Sequence, residues 1–159
     1  RGMRRRQAQG CCPELVLLTA DPGRDVRLFV AVAVAVESVV AGTEIARPGL
    51  LLLPSAGASR YHGSEQTLAQ SLVEVVAERT GHEAQVGVSD GVGAAVLAAR
   101  GARLVPPGTA AAFLAPLPVA ELVHVTTEDT MAARVAELVD LLGRLGLRTL
   151  GAAACCARA

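Results

Sequence analysis

An almost entirely apolar stretch, Glu-Ile-Ala-Arg-Pro-Gly-Leu-Leu-Leu-Leu-Pro at residues 44–54, sets the tightest limit on how this chain folds. Its apolar runs predict two short buried strands within residues 43–54. Pro48 and Gly49 interrupt the two runs. Proline has no amide hydrogen for a sheet ladder and glycine has no side chain to pack, so neither is the usual filling of a buried strand. These two residues therefore need an explanation.

The composition is that of a globular protein with a core of small and branched side chains. The chain has 159 residues, of which 52% are hydrophobic and only 2% aromatic, so it can bury one sizeable core. All 15 cationic side chains are arginine and they balance 15 carboxylates. Because the net charge is zero, bulk electrostatics do not indicate a nucleic-acid-binding protein, and any such contact must be a local patch.

Neither a membrane segment nor a structural zinc site is predicted. The longest apolar run, residues 28–36, is well short of the ~18 residues that a membrane helix needs. The chain opens in the middle of a pattern and has no signal peptide, so we expect a piece of a longer cytoplasmic protein. Cysteines occur only as two adjacent pairs, Cys11-Cys12 and Cys155-Cys156, and are expected to be reduced thiols, either buried or near the ends of the chain.

Local signals predict alternating helices and strands in the first two thirds of the chain. The clearest helix starts with a Ser64 cap and ends at Gly81, with Leu68, Leu72, Val75 and Val76 on one face. A second helix starts at Asp21-Pro22 and runs to about Val40, although its alternating Val-Ala sequence also fits a strand. The other predictions are a basic helix at 3–10, strands at 14–19, 83–90 and 103–108, a loop at 54–63 and a helix at 91–101.

After Gly108 only helices are predicted. The most regular one, in residues 128–146, places Met131, Val135, Leu138, Val139 and Leu142 on one face. The whole pattern predicts an α+β fold, in which helices pack on a mixed sheet and a small helical unit follows. The boundary is expected between residues 106 and 118.

The turn at residues 90–93 is a candidate phosphate site. A predicted strand runs into Gly91-Val92-Gly93 and a helix begins there, which is the arrangement whose amides bind pyrophosphate. Val96 occupies the position of the third glycine, and no acid follows at the distance that a ribose contact requires. A Rossmann-like nucleotide-binding domain is therefore one alternative, and a tight strand-to-helix turn is the simpler interpretation.

Two groups of arginines are candidate DNA-backbone contacts. In residues 141–151 a helix ends in a short hairpin through Gly146, and Thr149 can cap the next helix. Backbone amides there, with Arg144 and Arg148, could face a phosphate backbone, as in one half of a helix-hairpin-helix. The second candidate patch is Arg4, Arg5 and Arg6. An ordinary helix pair and a solvated helix face are the respective alternatives.

Four stretches together resemble the Y-family translesion DNA polymerases, and most of all their actinobacterial ImuB-like branch. They are RGMRRRQAQGCCPELVLLTADPGRDVRLF, VGVSDGVGAAVLAA, LVPPGTAAAFLAPLPV and LVDLLGRLGLRTLG, in that order along the chain. The resemblance implies a palm at residues 1–108, with a fingers remnant near 1–13. It implies a partial thumb at 109–159 that contains the helix-hairpin-helix half.

The resemblance also implies that the catalytic machinery is missing. Active relatives carry an Asp-Glu pair where this chain has Pro48 and Gly49, and a triphosphate-contacting lysine where it has Val92. Mg²⁺ requires hard oxygen ligands, which proline and glycine side chains do not offer. We therefore expect no enzyme activity, no cofactor and no metal site. An active translesion polymerase fragment, which would use Mg²⁺, is the alternative.

An adaptor role in mutagenic translesion synthesis and DNA damage tolerance is what the resemblance implies. The expected partners are damaged or primer-template DNA, an error-prone replicative-type polymerase, a RecA-like accessory protein and the sliding clamp. The clamp contact would need a region beyond Ala159. The expected location is the cytoplasm, at the nucleoid. The family's usual first thumb hairpin is replaced by HVTTEDTMAARV at residues 124–135, so weaker DNA binding is expected than for the family.

Overall fold

The computed structural model describes residues 4–126 and 129–157, which form an α+β fold dominated by helices. The helices and strands are α1 (Arg5–Cys11), α2 (Pro22–Glu37), β1 (Glu44–Arg47), β2 (Leu50–Leu52), α3 (Ser55–His62), α4 (Glu65–Thr80), α5 (Val92–Ala99), α6 (Ala110–Leu114), a 3₁₀ helix (Val119–His124), α7 (Asp129–Arg144) and α8 (Leu150–Cys156). The start of the predicted first helix at Met3, residues 127–128 of the thumb-hairpin replacement and residues 158–159 of the predicted thumb lie outside the described residues.

A β-hairpin, formed by β1 and β2, contains the interrupted apolar stretch. Its strands are antiparallel, with Ile45 opposite Leu51 and a register irregularity between Ile45 and Arg47. Pro48 and Gly49 form the turn, and Gly49 has φ +88°. A proline fixes φ at the first central position of such a turn and a glycine accepts positive φ at the second. The two predicted strands are confirmed, but their predicted burial is wrong: β1 is mostly exposed and β2 is only partly buried. Pro48 and Gly49 have a local structural role as the turn between them.

The core lies between α2 and α4. Five apolar side chains form it, each no more than 6% exposed: Val36, Val40, Leu68, Leu72 and Val76. Leu51 and Leu53, from the hairpin and the residue after it, are partly buried against this cluster, and α3 packs against α4. No aromatic side chain belongs to the cluster of buried residues, in agreement with the composition.

Capping explains why α2 and α4 begin where they do. The Asp21 carboxylate accepts a hydrogen bond from the Arg24 amide at 2.9 Å, and Pro22 is the first residue of α2. This confirms the helix at a place where the alternating sequence also fitted a strand. Ser64 Oγ accepts from the Thr67 amide at 3.0 Å, and Gly81 ends α4 with φ +69°, both as predicted.

Three predictions about strands and loops need correction. The predicted strand at 14–19 is wrong, because these residues are exposed and form no ladder. The predicted loop at 54–63 is also wrong, since α3 forms there, packs against α4 and ends at Gly63 with φ +90°. The predicted strands at 83–90 and 103–108 contribute only one parallel bridge, between Val88 and Leu104. The described residues therefore contain a two-stranded sheet rather than the larger mixed sheet that was expected.

The C-terminal helical region, defined here as residues 109–157, is helical as predicted. α7 packs against the 3₁₀ helix, and α6 packs against α8. Among the described residues of this region, only Val119 is fully buried. Met131 and Leu138 of the predicted α7 face are each 44% exposed, so the apolar face is only partly covered. No helix in the described part of the chain has the length and apolarity needed to cross a membrane.

Candidate nucleic-acid interface

The turn after α7 has the geometry that the sequence predicted. The Leu147 amide donates to the Leu142 carbonyl at 2.9 Å, and the Gly146 amide donates to the Gly143 carbonyl at 3.1 Å. Gly146 has φ +79°. This pair of bonds around a left-handed residue is the Schellman arrangement, which favours glycine because a side chain is strained at positive φ. The sharp end of α7 at Gly146 is therefore confirmed.

Thr149 begins α8, also as predicted. Its hydroxyl oxygen accepts a hydrogen bond from the Ala152 amide at 3.3 Å. Its backbone is extended, with φ −119° and ψ 155°, as is usual for a residue that caps a helix. Only three residues, Leu147, Arg148 and Thr149, separate Gly146 from the first residue of α8.

Backbone carbonyls of residues 115 and 117 accept hydrogen bonds from amides at the start of α8, where contacts with DNA were expected. The Leu150 amide donates to the Leu117 carbonyl at 2.9 Å, and the Gly151 amide donates to the Ala115 carbonyl at 3.0 Å. Together with the Ala152 amide, which is bonded to the cap, three amides at the start of α8 are satisfied within the protein. These three amides therefore already have hydrogen-bond partners within the protein, and the contact with phosphate that the sequence predicts would be made by the arginine side chains.

The two arginines of the turn differ in their surroundings. Arg144 Nη2 lies 3.1 Å from Asp140 Oδ2, and both side chains are 70% exposed. The Arg148 side chain is exposed and has no ion pair or hydrogen bond to any described residue. Sequence reasoning missed Asp140, although its position four residues before Arg144 on a predicted helix was the signal. Arg148 is thus the less neutralised cation at this turn.

The three N-terminal arginines lie at the start of α1. Arg4 is the residue before the helix and Arg5 and Arg6 form its first turn, all three exposed. Cations at a helix N-terminus oppose the helix dipole, so these residues do not stabilise α1. Arg144 and Arg148 belong to a different part of the chain, at the end of α7 and in the turn before α8. The two predicted patches are therefore described as two separate candidates.

The residues at the position where active relatives carry the acid pair do not fit Mg²⁺. Pro48 and Gly49 lie exposed in the hairpin turn and carry no oxygen in their side chains. The nearest acid before them, Glu44, is the first residue of β1. In the described ranges there is no group of three or more His, Cys, Asp or Glu side chains placed to hold a metal ion. Mg²⁺ is held by near-octahedral oxygen ligands, and this turn supplies none from its own side chains.

The turn at residues 90–93 has a structural use that the sequence did not reveal. The Asp90 carboxylate accepts a hydrogen bond from the Gly108 amide. Gly91 precedes α5 in an extended conformation without a side-chain cap, and Val92, 57% exposed, is the first residue of α5. The single parallel bridge beside this helix is much less than the parallel sheet on which a Rossmann-like domain is built.

Histidines and cysteines do not add a further site. His62 is half-buried, with its ring edge-on to Tyr61 at a centroid distance of 5.2 Å. All four cysteines are exposed, and they lie near the ends of the chain, as one of the two expectations had it.

Comparison with known proteins adds no relative: no family model, no curated protein and no solved structure matches the chain. The family resemblance therefore depends on the sequence motifs alone.

Proposed function

We propose that this chain is a non-catalytic, ImuB-like homologue of the Y-family polymerases that contacts the DNA backbone. In this proposal, residues 1–108 correspond to a palm and residues 109–159 to a partial thumb. The protein serves as an adaptor in mutagenic translesion synthesis and DNA damage tolerance, at the nucleoid in the cytoplasm. Its partners are an error-prone replicative-type polymerase, a RecA-like protein and, through a further region, the sliding clamp.

The observation that carries the proposal is the fixed turn between α7 and α8. Arg144 and Arg148 flank a left-handed Gly146, and the chain on either side of them is held by backbone hydrogen bonds. The Val119 amide donates to the Arg148 carbonyl at 3.0 Å, so the backbone of Arg148 is bonded to the first residue of the 3₁₀ helix. Arginines on a rigid turn lose less conformational freedom when they bind phosphate than arginines on a mobile loop. Phosphate contacts of this kind position a protein without reading sequence.

The hairpin turn supports the non-catalytic part of the proposal. Two-metal phosphoryl transfer needs carboxylates that hold both ions, and Pro48 and Gly49 offer none. Loss of metal stabilisation worth ~5 kcal/mol slows a reaction more than a thousandfold, since each ~1.36 kcal/mol is a factor of ten. This matches a role in which the protein holds DNA and partners.

Salt-dependent DNA binding tests the arginine contacts. We expect the slope of log affinity against log salt for a labelled duplex to become shallower by roughly 1.8 in Arg144→Ala/Arg148→Ala, because each phosphate contact contributes ~0.9. Arg60→Ala/Arg79→Ala removes the same charge from exposed positions on α3 and α4 and is the matched control. An unchanged slope in the first variant, or an equal loss in the control, removes the α7–α8 turn from the interface.

Primer extension tests whether the protein lacks polymerase activity. We expect this protein to add no nucleotide to a primer-template with Mg²⁺ or Mn²⁺. Template-dependent incorporation would contradict this part of the proposal and favour the alternative of an active translesion polymerase. The DNA-binding measurement does not depend on this result, so the two parts of the proposal can fail separately.

A further inference from the structure

Helix α5 follows a segment that is attached to the α2–α4 core, because Ala84 and Val86 pack against the buried residues of that core. Four of its residues are no more than 6% exposed: Ala94, Val96, Leu97 and Ala98. Gly87 approaches its last turn so closely that a Cβ on that glycine would lie 2.0 Å from the Ala99 nitrogen. The parallel bridge between Val88 and Leu104 joins the segments before and after the helix. These contacts leave α5 little freedom to move relative to its flanking segments.

At the N-terminal end of α5, a side chain holds the start of the link to the C-terminal helical region. Asp90, two residues before the helix, accepts a hydrogen bond from the Gly108 amide. Gly108 has φ +77°, and Thr109 donates its hydroxyl to the Pro106 carbonyl at 2.7 Å. The direction in which the chain leaves residue 108 is therefore set by the residue pair Asp90 and Gly108.

At the C-terminal end of α5, an ion pair reaches the C-terminal helical region itself. Arg100 Nε lies 3.0 Å from Glu121 Oε2, and the two side chains are 44% and 32% exposed. Glu121 belongs to the 3₁₀ helix, which packs against α7. In the first turn of α5, a Cβ on Gly93 would lie 3.1 Å from Val125 Cγ1, so α5 is also close to the residue that follows the 3₁₀ helix.

We propose that Asp90 and Arg100 are positioning residues, which together hold the C-terminal helical region in one orientation relative to the α2–α4 core. The pair Arg100–Glu121 acts as a solvent-exposed latch, which screening by salt weakens. This inference rests on the proposed function in one respect: the orientation decides where Arg144 and Arg148 are presented to DNA. Its test uses no DNA, so its failure and that of the proposed function are distinguishable.

A distance measurement between two spin labels tests the latch. The labels are placed on Ala77→Cys in α4 and Ala136→Cys in α7, both exposed positions, in the full chain with its four cysteines replaced by serine. We expect one narrow distance distribution. In Arg100→Gln and in Glu121→Gln, a displaced population should rise by up to about fivefold, which is the range for an exposed ion pair. About 1 M salt, where the screening length is ~3 Å, should also raise the displaced population in the protein with Arg100 and Glu121 intact.

Charge reversal separates a latch from general damage to the structure. Arg100→Glu/Glu121→Arg should restore the narrow distribution, and Asp90→Ala should displace it as the latch variants do. Arg144→Gln removes an ion pair that lies within α7 and should leave the distribution unchanged. Circular dichroism should give the same helix content for Arg100→Gln as for its parent, because the side chain is part-exposed. An unchanged distribution in Arg100→Gln, or a displacement that charge reversal does not restore, overturns the proposal.

Discussion

The α2–α4 core and the C-terminal helical region are stabilised in different ways. In the first, five apolar side chains from α2, from the segment just after it and from α4 are almost completely buried. In the second, only Val119 is buried among the described residues, and hydrogen bonds join the backbone of residues 115–119 to that of residues 148–151. Removing atoms from a densely packed core leaves a cavity and lowers stability. Adding a side chain where two backbone segments meet forces the segments apart and also lowers stability. The two regions should therefore respond to opposite kinds of substitution.

The largest expected effect is a loss of volume in the core. Leu68 is 2% exposed and belongs to the cluster between α2 and α4. We expect Leu68→Ala to lower the free energy of unfolding by about 2–5 kcal/mol, measured by urea denaturation, because it removes buried methyl groups and leaves a cavity. Leu145→Ala, at a residue 65% exposed in the other region, should change it by less than ~0.5 kcal/mol. Equal losses would show that the two regions do not differ in packing.

The reverse substitution, a gain of volume, should destabilise the C-terminal helical region. A Cβ on Gly151 would lie 3.0 Å from both the Cβ and the carbonyl oxygen of Ala115. We expect Gly151→Ala to lower the free energy of unfolding by ~1–3 kcal/mol, because the two segments must separate. Gly143→Ala is the matched control: it has open space within α7 and should stabilise the protein by ~0.5–1 kcal/mol. A neutral Gly151→Ala would argue against backbone docking as the support of this region.

Helix caps allow a like-for-like comparison of the two regions. Ser64 accepts its hydrogen bond at 3.0 Å and Thr149 at 3.3 Å. We expect Ser64→Ala to cost about 1 kcal/mol and Thr149→Ala no more than that, by thermal denaturation. Ser64→Thr and Thr149→Ser keep the hydroxyl and should retain most of the stability. If Thr149→Ala proved much the more costly, the start of α8 would be the main support of its region.

The smallest expected effect on stability comes from an exposed ion pair. Asp140→Asn removes the partner of Arg144 and should cost about 0.3–0.5 kcal/mol, because both side chains are 70% exposed. The same variant removes a negative charge beside the candidate interface. We therefore expect tighter DNA binding at low salt, measured by fluorescence anisotropy. Weaker binding would show that the Asp140 carboxylate orients the Arg144 guanidinium for DNA instead of competing with DNA for it.

Local signals were sufficient to predict the helices with strong ends. Ser64 and Gly81 mark α4 because capping and a left-handed ending depend on residues within one turn. Gly146 and Thr149 were predictable for the same reason. The strand at 14–19 was not, since a strand exists only with a neighbour to pair with, and apolar residues alone do not supply one. The helix α3 was missed because Ser, Gly and Pro are typical of loops, whereas its packing against α4 is a tertiary effect.

Part of the candidate site was beyond any local signal. The carbonyls that occupy the amides of Leu150 and Gly151 belong to Leu117 and Ala115, more than thirty residues earlier in the chain. Similarly, the hydrogen bond between Asp90 and Gly108 crosses 18 residues. No spacing rule relates such pairs, because they meet only after the helices have packed. The arginines were visible in the sequence, but which polar groups remain available to a ligand was decided by the fold.

The exposed stretch before α2 makes the chain easy to trim. Residues 12–20 are all exposed and lie outside any regular element, which is the kind of segment that proteases cut first. A single cleavage there releases α1 together with Arg4, Arg5 and Arg6, and none of the five core side chains is removed. The shortened product keeps Arg144 and Arg148. Limited digestion therefore yields a shortened protein that lacks the first arginine patch. Comparing its DNA affinity with that of the intact protein measures the contribution of each patch to binding.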